Sequence, residues 1–248
     1  MRRDGSIRPE EGAPLPFRHE EKYLCSEADL TTLGIRLSAL MRPDPHADAQ
    51  GRYRIRSVYF DDAGLAFWHE NEMGVSPRQK WRIRSYNGDP DTLRLECKYK
   101  VDQLTAKQSA ACPAALTRRL LGILEHGEHT VERESAASKE ALLESFLTLY
   151  QSRGLHPSVI VSYERTPFIY AGGNVRVTFD RYIHASCDFT HFFDPVIKRR
   201  PILPGGVHIL EEKYDEYLPQ MIADAIQMHG LRRVTFSKYA LCRKQFML

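Results

Sequence analysis

Charged and apolar residues alternate along two segments of this chain. The first reads Lys80-Trp81-Arg82-Ile83-Arg84, and the second reads Arg94-Leu95-Glu96-Cys97-Lys98-Tyr99-Lys100. Because successive side chains of a β-strand point to opposite faces, a period of two predicts two strands, each with one charged face and one apolar face. The apolar face is typical of a sheet that packs on a hydrophobic core, and the other face is dense in cations.

The same alternation recurs in residues 52–56, 175–180 and 209–213. A solvated strand often carries Lys and Glu, so any one segment has an ordinary explanation. Five such segments weaken that explanation. Like charges at this density repel one another, and a bound polyanion, or a cation beside the few carboxylates, would offset the repulsion.

Hydrophobic spacing and turn residues predict the remaining elements. Ser26-Glu27-Ala28-Asp29 has the spacing of a capping box, Ser138 is a plausible helix cap, and Gly154 and Gly230 are helix stops. Strands are expected over 17–24, 52–60, 66–71, 78–86, 92–101, 158–165, 175–182 and 207–213. Helices are expected over 27–41, 113–125, 138–153 and 218–229. Turns are expected at Asn87-Gly88-Asp89-Pro90 and Ala171-Gly172-Gly173-Asn174.

These elements predict an α+β fold. Residues 1–16 are rich in Gly and Pro and are expected to form a poorly ordered lead-in, whereas 17–248 are expected to form a single domain. About eight antiparallel strands would close most simply into a barrel with flanking helices, because closure removes exposed sheet edges. Charged faces that point inward would then line a tunnel.

Composition narrows the class of protein. The chain is 42% apolar and 27% charged, as in a soluble protein with a sizeable core. Its formal net charge is only +3, so the cations act through local clustering, and a nucleic-acid partner is not expected. The five cysteines include no C-x-x-C pair, which argues against a disulfide framework and favours the cytoplasm. No apolar run is long enough to span a bilayer, so any membrane role would need a separate membrane partner.

Phosphate chains fit the chemistry of these segments. Guanidinium groups pair with phosphate oxygens in bidentate fashion, ammonium groups supply point charges, and carboxylates hold Mg²⁺ or Mn²⁺ that bridges phosphates. No Ser-His-Asp or Cys-His arrangement is needed. The Gly172-Gly173 pair is better explained by a hairpin than by a phosphate-binding loop.

Eight ordered motifs carry a family resemblance. They are Arg18-His19-Glu20-Glu21-Lys22-Tyr23, Ser57-Val58-Tyr59-Phe60-Asp61, Trp81-Arg82-Ile83-Arg84-Ser85-Tyr86, Leu95-Glu96-Cys97-Lys98, Tyr163-Glu164-Arg165-Thr166-Pro167-Phe168, Val175-Arg176-Val177-Thr178-Phe179-Asp180, Ile209-Leu210-Glu211-Glu212-Lys213 and Phe236-Ser237-Lys238-Tyr239. From about residue 17 to 246 the chain resembles the VTC domain, the polyphosphate polymerase domain of the vacuolar transporter chaperone. That domain is a branch of the triphosphate tunnel metalloenzymes, in the CYTH-like superfamily.

The resemblance implies an antiparallel tunnel barrel whose cations bind ATP and polyphosphate, with Mn²⁺ or Mg²⁺ held by Glu211. It implies phosphate contacts from Arg18, Lys22, Arg82, Arg84, Lys98, Lys107, Arg165, Arg176, Lys213 and Lys238. It implies a catalytic set of Arg82, Arg84, Lys98, Arg165, Arg176 and Glu211. Glu96 is the expected acidic companion of Lys98, and Arg54 and Arg56 are possible secondary contacts only.

Two departures from the family pattern matter. Related triphosphatases usually open with E-x-E-x-K, and here Arg18 stands at the first glutamate, as in the VTC branch, which favours synthesis of a phosphate chain over hydrolysis. Thr235 stands where a basic residue is expected. Three functions therefore stay open: a polyphosphate polymerase, a tunnel triphosphatase acting on tripolyphosphate or a nucleoside triphosphate, and a protein that binds polyphosphate without catalysis.

Overall fold

The structure is a computed structural model that describes residues 15–123, 141–228 and 230–247. Within these ranges the strands are β1 (Arg18–Ser26), β2 (Arg42–Pro43), β3 (Tyr53–Asp61), β4 (Arg78–Tyr86), β5 (Arg94–Val101), β6 (Leu104–Ala111), β7 (His156–Tyr170), β8 (Val175–Ser186), β9 (Arg200–Pro201), β10 (Val207–Tyr214) and β11 (Arg232–Arg233). The α-helices are α1 (Glu27–Leu40), α2 (Ala66–Glu72), α3 (Ala114–Leu120), α4 (Ala141–Arg153), α5 (Gln220–Ile226) and α6 (Lys238–Lys244).

Eight long strands pair antiparallel and close on themselves. Their order is β7-β3-β4-β5-β6-β1-β10-β8, and β8 pairs back onto β7. The short strands β2, β9 and β11 add to the edges where the long strands diverge. The predicted antiparallel barrel of about eight strands with flanking helices is therefore confirmed.

The turn between β7 and β8 requires glycine. Gly173 has a φ of +68°, and a Cβ atom there would lie 2.4 Å from the backbone oxygen of Tyr217. An L side chain is strained at that φ, and the contact leaves no room for one. The predicted hairpin turn is confirmed, and its glycine is needed for conformation and for space.

The first helix begins as its sequence predicts. The Ser26 hydroxyl accepts a hydrogen bond from the Asp29 amide at 3.1 Å, and the Asp29 carboxylate accepts one from the Ser26 amide at 2.8 Å. This capping box satisfies amides that have no partner inside the helix. Leu33 and Leu37, one turn apart, are fully buried against the barrel.

The predicted strand over 66–71 is wrong, because these residues form α2. The buried Asp61 carboxylate accepts hydrogen bonds from the amides of Phe67 (3.0 Å) and Trp68 (2.9 Å), so it caps the first turn of a helix. The aromatic residues suggested a strand, but this cap and the burial of Phe67 decide the local structure. Strand β6 and helix α6 were not predicted.

The other predicted helices have shorter bounds in the structure. The helix predicted over 113–125 is α3, which ends before Gly122, a residue with φ +70°. The helix predicted over 218–229 is α5, and it starts after Pro219. The helix predicted over 138–153 is α4, and Gly154, with φ +63°, follows its end as expected. Residues 124, 125, Ser138 and 229 lie outside the described part of the chain.

Most of the hydrophobic core lies outside the barrel. Trp81, Ile83 and Leu95, from the apolar faces of β4 and β5, are buried against Phe146 of α4. The charged faces of the same strands therefore point into the barrel. Apolar side chains of α1 cover β8 and β10 in a second cluster.

A third cluster fills one end of the barrel. Tyr239 and Cys242 of α6 are buried against Val161 and Ile209, which share faces with Arg165 and Glu211 at the strand period of two. Helix α6 therefore closes an apolar end of the interior. Among the described residues, no helix has the length and apolar composition that crossing a bilayer requires.

The cap at Asp61 gives a test of how α2 and α6 are held. Its carboxylate also accepts a hydrogen bond from the Tyr239 hydroxyl, so one group connects both helices to β3. We expect Asp61→Asn to lower the free energy of unfolding by about 2–3 kcal/mol, because an amide offers one acceptor oxygen and no charge. Urea unfolding measures the change. Asp224 is exposed, and Asp224→Asn is the control, with an expected change in the free energy of unfolding within about 0.5 kcal/mol. Equal effects of both variants would contradict the role of Asp61.

Candidate functional site

The interior of the barrel is a cavity of about 780 Å³ whose lining is rich in cations. Fourteen of its lining residues are Lys or Arg, and four are Asp or Glu. We call this cavity the tunnel. Its net positive charge would favour a bound anion, and the dense packing of cations requires groups that hold them in place.

Glu96 of β5 holds the first group of cations. Its carboxylate is 2.7 Å from Arg82 Nη2, 3.5 Å from Arg84 Nη2 and 2.7 Å from Lys107 Nζ. Arg82 and Glu96 are register partners on β4 and β5, and Lys107 reaches the carboxylate from β6. With only 1% of its side chain exposed, Glu96 is a buried counter-ion that positions three phosphate-binding candidates.

Glu20 of β1 holds the second group of cations. Its carboxylate lies 2.7 Å from Lys22 Nζ, 2.6 Å from Lys98 Nζ and 3.4 Å from Lys213 Nζ. These three lysines come from β1, β5 and β10, so one carboxylate gathers ammonium groups from separate parts of the barrel wall.

Glu211 connects this group to a third one. In the third group Asp180 is 2.6 Å from Arg165 Nε and 2.5 Å from Lys238 Nζ. The Glu211 carboxylate is 2.5 Å from Lys213, 3.7 Å from Arg165 and 3.8 Å from Lys238. It is also 3.7 Å from Lys22. Glu211 therefore stands among cations of both neighbouring groups, at the centre of the network.

The cations keep these carboxylates ionised. Burial alone would raise the pKa of Glu20, Glu96 and Glu211, but the surrounding Lys and Arg side chains lower each pKa well below its usual range. Adjacent Glu212 points to the outside of the barrel, where burial and the carboxylate of Glu21 raise its pKa to about 7. The alternation of a strand thus gives neighbouring glutamates opposite environments.

Burial disfavours the charged form of two lysines in the tunnel. Burial, together with the charges of Lys22 and Lys213, lowers the pKa of Lys98 to about 7, although Glu20 opposes the shift. Burial and the charges of Lys98 and Lys22 lower the pKa of Lys80 well below its usual range. The Lys80 ammonium donates a hydrogen bond to the Ser237 hydroxyl at 2.9 Å. Both side chains would gain from a nearby phosphate.

Arg18 and Arg176 line the tunnel close to the β7–β8 hairpin. Arg18 Nε is 2.7 Å from Asp215, and its Nη2 donates to the backbone oxygen of Asn174 in the hairpin. Arg176 Nη2 is 2.7 Å from the Asp44 carboxylate and donates to the Tyr53 hydroxyl. These contacts fix two cations that belong to none of the three groups of cations described above.

The structure brings every predicted site residue into one cavity. The lining includes Arg18, Lys22, Arg82, Arg84, Lys98, Lys107, Arg165, Arg176, Glu211, Lys213 and Lys238. Their assigned roles in phosphate and metal binding stay predictions. Arg54 and Arg56 instead lie on the outer face of β3, where Arg56 donates to the backbone oxygens of Phe192 and Asp194.

Several lining residues were not predicted as site residues. They include Glu20, Glu21, Arg78, Lys80, Lys100, Arg233, Tyr59, Tyr163 and Tyr239. Glu20 and Lys80 could have been found, since each shares the parity of predicted residues on its own strand. Tyr59 and Tyr163 could not, because an aromatic residue on a strand usually indicates core. Here Tyr59 accepts a hydrogen bond from Arg82 at 2.8 Å.

The carboxylates fit a divalent cation that is shared with a phosphate ligand. Glu20 and Glu211 both contact Lys22 and Lys213, so the two carboxylates share the same ammonium groups. In the part of the chain that the structure describes, no group of three or more Asp, Glu, His or Cys residues could hold a metal ion. Mg²⁺ and similar ions are often bound by one or two carboxylates together with substrate phosphates, and this donor set suits that mode.

The closed barrel with a cation-lined interior defines a protein of the triphosphate tunnel fold. The family model of the VTC domain matches residues 17–247, and the chain therefore belongs to the VTC domain family. Among curated proteins, no sequence matches this chain.

Solved structures resemble the barrel at low sequence identity. A protein from Hippeastrum, described as a putative adenylyl cyclase with a dominant triphosphatase activity, is 12% identical with a TM-score of 0.51, covering 94% of this chain and 97% of that chain. A putative adenylate cyclase from Vibrio parahaemolyticus is 10% identical with a TM-score of 0.49, covering 92% and 98%. At such identities the likeness to the Hippeastrum protein shows the fold alone.

Removing Glu96 tests the role of the carboxylates as internal counter-ions. We expect Glu96→Gln to lower the free energy of unfolding by about 3 kcal/mol, because Arg82, Arg84 and Lys107 lose their shared partner. Saturating tripolyphosphate should raise the melting temperature of this variant more than that of the unmodified protein, since the ligand replaces the lost charge. Glu164→Gln, on the outer face of β7, is the matched control. Unchanged stability together with equal ligand stabilisation would contradict this role.

Lys98 should take up a proton when a phosphate chain binds. With a pKa of about 7, roughly nine in ten Lys98 side chains are neutral at pH 8, and a nearby phosphate raises the pKa. Calorimetry of tripolyphosphate binding at pH 8, in buffers of different ionisation enthalpy, should therefore show proton uptake. Lys98→Arg should reduce the uptake, because a guanidinium stays protonated throughout. Equal uptake by both proteins would show that Lys98 is already charged.

Proposed function

We propose that this protein is a metal-dependent polyphosphate polymerase, which transfers the γ-phosphoryl group of ATP to the end of a polyphosphate chain. The observation that carries the proposal is the length of the cationic lining. Arg78, Lys80, Arg82 and Arg84 all line the tunnel along β4, over about 20 Å at the rise of a β-strand. A lining of that length has room for a nucleoside triphosphate and an acceptor chain together.

The side chains of the tunnel would act by positioning and by neutralising charge. The arginines around Glu96 and Asp180 present bidentate donors at fixed positions, and the lysines around Glu20 add point charges to them. Phosphoryl transfer depends mainly on such positioning and on electrostatic stabilisation of the transferred group. Helix α6 packs in the apolar cluster at one end of the barrel. An apolar end would admit less water, which competes with the chain as the acceptor.

The reaction needs no nucleophile from the protein. The terminal oxygen of the acceptor chain attacks the γ-phosphorus, the bond from that phosphorus to the β-bridging oxygen breaks, and ADP leaves. Glu211 with Glu20 would hold Mn²⁺ or Mg²⁺, which supplies further neutralisation of the phosphate oxygens. Among the cationic candidates, Arg82, Arg84, Lys98, Arg165 and Arg176 would contact the reacting phosphates.

A tunnel triphosphatase is the second candidate. In that reaction water replaces the acceptor chain, and the same cations bind tripolyphosphate or a nucleoside triphosphate. The Hippeastrum protein of the same fold is described as having a dominant triphosphatase activity, which favours this alternative. Arg18 favours the polymerase, because it adds a cation at a position where the related triphosphatases usually carry a glutamate.

The partners follow from this proposal. ATP and polyphosphate are the expected ligands, and nucleic acid is not expected. The proposed setting is the cytoplasm, with a separate membrane partner as a possibility for handling the product. A protein that binds polyphosphate without turnover is the third candidate, and it would use the same lysines and arginines.

Product analysis separates the three functions. We expect the purified protein with ATP and Mn²⁺ to form a phosphate polymer, seen on gels, and ADP in matching amount. Orthophosphate without polymer would support the triphosphatase instead, and tight polyphosphate binding without any turnover would support the third function.

Glu211→Gln tests the metal site within the same assay. We expect turnover to fall by about 100-fold or more, because a bound metal contributes several kcal/mol to stabilising the transition state. Polyphosphate binding should persist, since the loss of a carboxylate leaves more net positive charge in the tunnel. Glu164→Gln on the outer face is the matched control. Turnover that Glu211→Gln leaves unchanged would exclude Glu211 as the metal ligand.

A further inference from the structure

A second pocket lies on the outer side of β1 and β10, and Glu21 lines both this pocket and the tunnel. Its volume is about 350 Å³. One side of it carries the carboxylates of Glu21 and Glu212, which are register partners on the two strands, and the ring of Tyr23. The facing walls are apolar and come from Ile226 of α5 and from Leu218 and Leu231 of the flanking segments. The pocket thus has one acidic end and an aliphatic body.

Glu212 has fewer hydrogen bonds than its burial calls for. Only 3% of the residue is exposed, and its Oε2 atom accepts no hydrogen bond from any residue that the structure describes. Its Oε1 atom is 3.4 Å from the Tyr23 hydroxyl, which donates at the shorter distance of 2.8 Å to Glu21. A buried carboxylate oxygen without a partner carries a large desolvation cost, and a hydrogen-bond donor in the pocket that Glu212 lines would lower this cost.

The walls indicate the kind of donor. A metal ion would need several oxygen ligands, and no group of three Asp, Glu, His or Cys residues suited to a metal occurs in the described chain. An alkylammonium ion fits better, because its charged head can bind Glu212 while its carbon chain lies against Leu218 and Ile226. The Tyr23 ring adds an aromatic surface, which attracts ammonium groups.

We infer that this outer pocket is a binding site for a small aliphatic ammonium ion, with Glu212 as the primary acceptor and Glu21 as a second anionic group. Arg233, 3.1 Å from Glu21, offsets part of the charge of Glu21 and leaves Glu212 as the open acceptor. The proposed ligand has the opposite charge to a phosphate chain, and Glu212, its primary acceptor, is not among the residues that line the tunnel.

Calorimetry or NMR titration with n-pentylammonium tests this site, with n-pentanol as the uncharged compound of the same shape. We expect one saturable site for n-pentylammonium, and binding of n-pentanol weaker by about tenfold or more. Glu212→Gln should weaken n-pentylammonium binding by about tenfold or more, whereas Glu164→Gln, on the outer face of β7, should leave it unchanged.

A second variant keeps the test independent of charge. Ala223 lines the pocket, and Ala223→Leu should block n-pentylammonium by filling the volume. A cooperative urea-unfolding transition of each variant, like that of the unmodified protein, shows that the barrel is folded. The inference is overturned if n-pentylammonium does not saturate a site, if n-pentanol binds equally well, if Glu212→Gln has no effect, or if only a metal ion such as Ca²⁺ binds.

Discussion

The structure depends on placing many cations inside a closed barrel. Their mutual repulsion and the loss of hydration would oppose folding, and four inward carboxylates offset both. Each is shared: Glu96 holds three cations, Glu20 holds three lysines, and Asp180 and Glu211 connect Arg165 with Lys238. Because the tunnel still holds more cations than carboxylates, the interior keeps a positive charge. The carboxylates thus allow the barrel to fold, and the remaining positive charge would favour a bound polyanion.

A polar interior forces the hydrophobic core to other places. The apolar faces of β4 and β5 turn outward, so α4 must cover Trp81, and α1 must cover the outer faces of β8 and β10. The interior becomes apolar only at the end that α6 fills. The helices are therefore needed to bury the outer apolar faces of the strands, because the charged interior of the barrel cannot bury them. This arrangement also leaves a buried glutamate, Glu212, on the outer side.

Strand periodicity predicted much of this fold and site. The predicted bounds of β4 agree with the structure, and parity placed Arg82, Arg84 and Lys98 in the tunnel. Parity alone cannot say which face is the inside, and β3 shows the consequence: its arginines point outward, while Tyr53 and Tyr59 line the tunnel. Strand β6 was not predicted, because Leu104–Ala111 has small and polar residues in place of alternating large apolar ones. Its place is set by pairing with β5 and β1.

The positions of the cations, more than any catalytic side chain, would decide which phosphate substrate the tunnel accepts. A triphosphate needs cations over a short distance, whereas a polymer gains binding energy from each further cation along its length. Arg18 is such a cation. It is held by Asp215 and by the backbone oxygen of Asn174, and it belongs to none of the three groups of cations around the inward carboxylates. A glutamate at this position would repel a phosphate chain there and would instead offer a carboxylate to a metal. Under the proposed function, the residue at this one position on β1 would therefore favour either the binding of long phosphate chains or the hydrolysis of short ones.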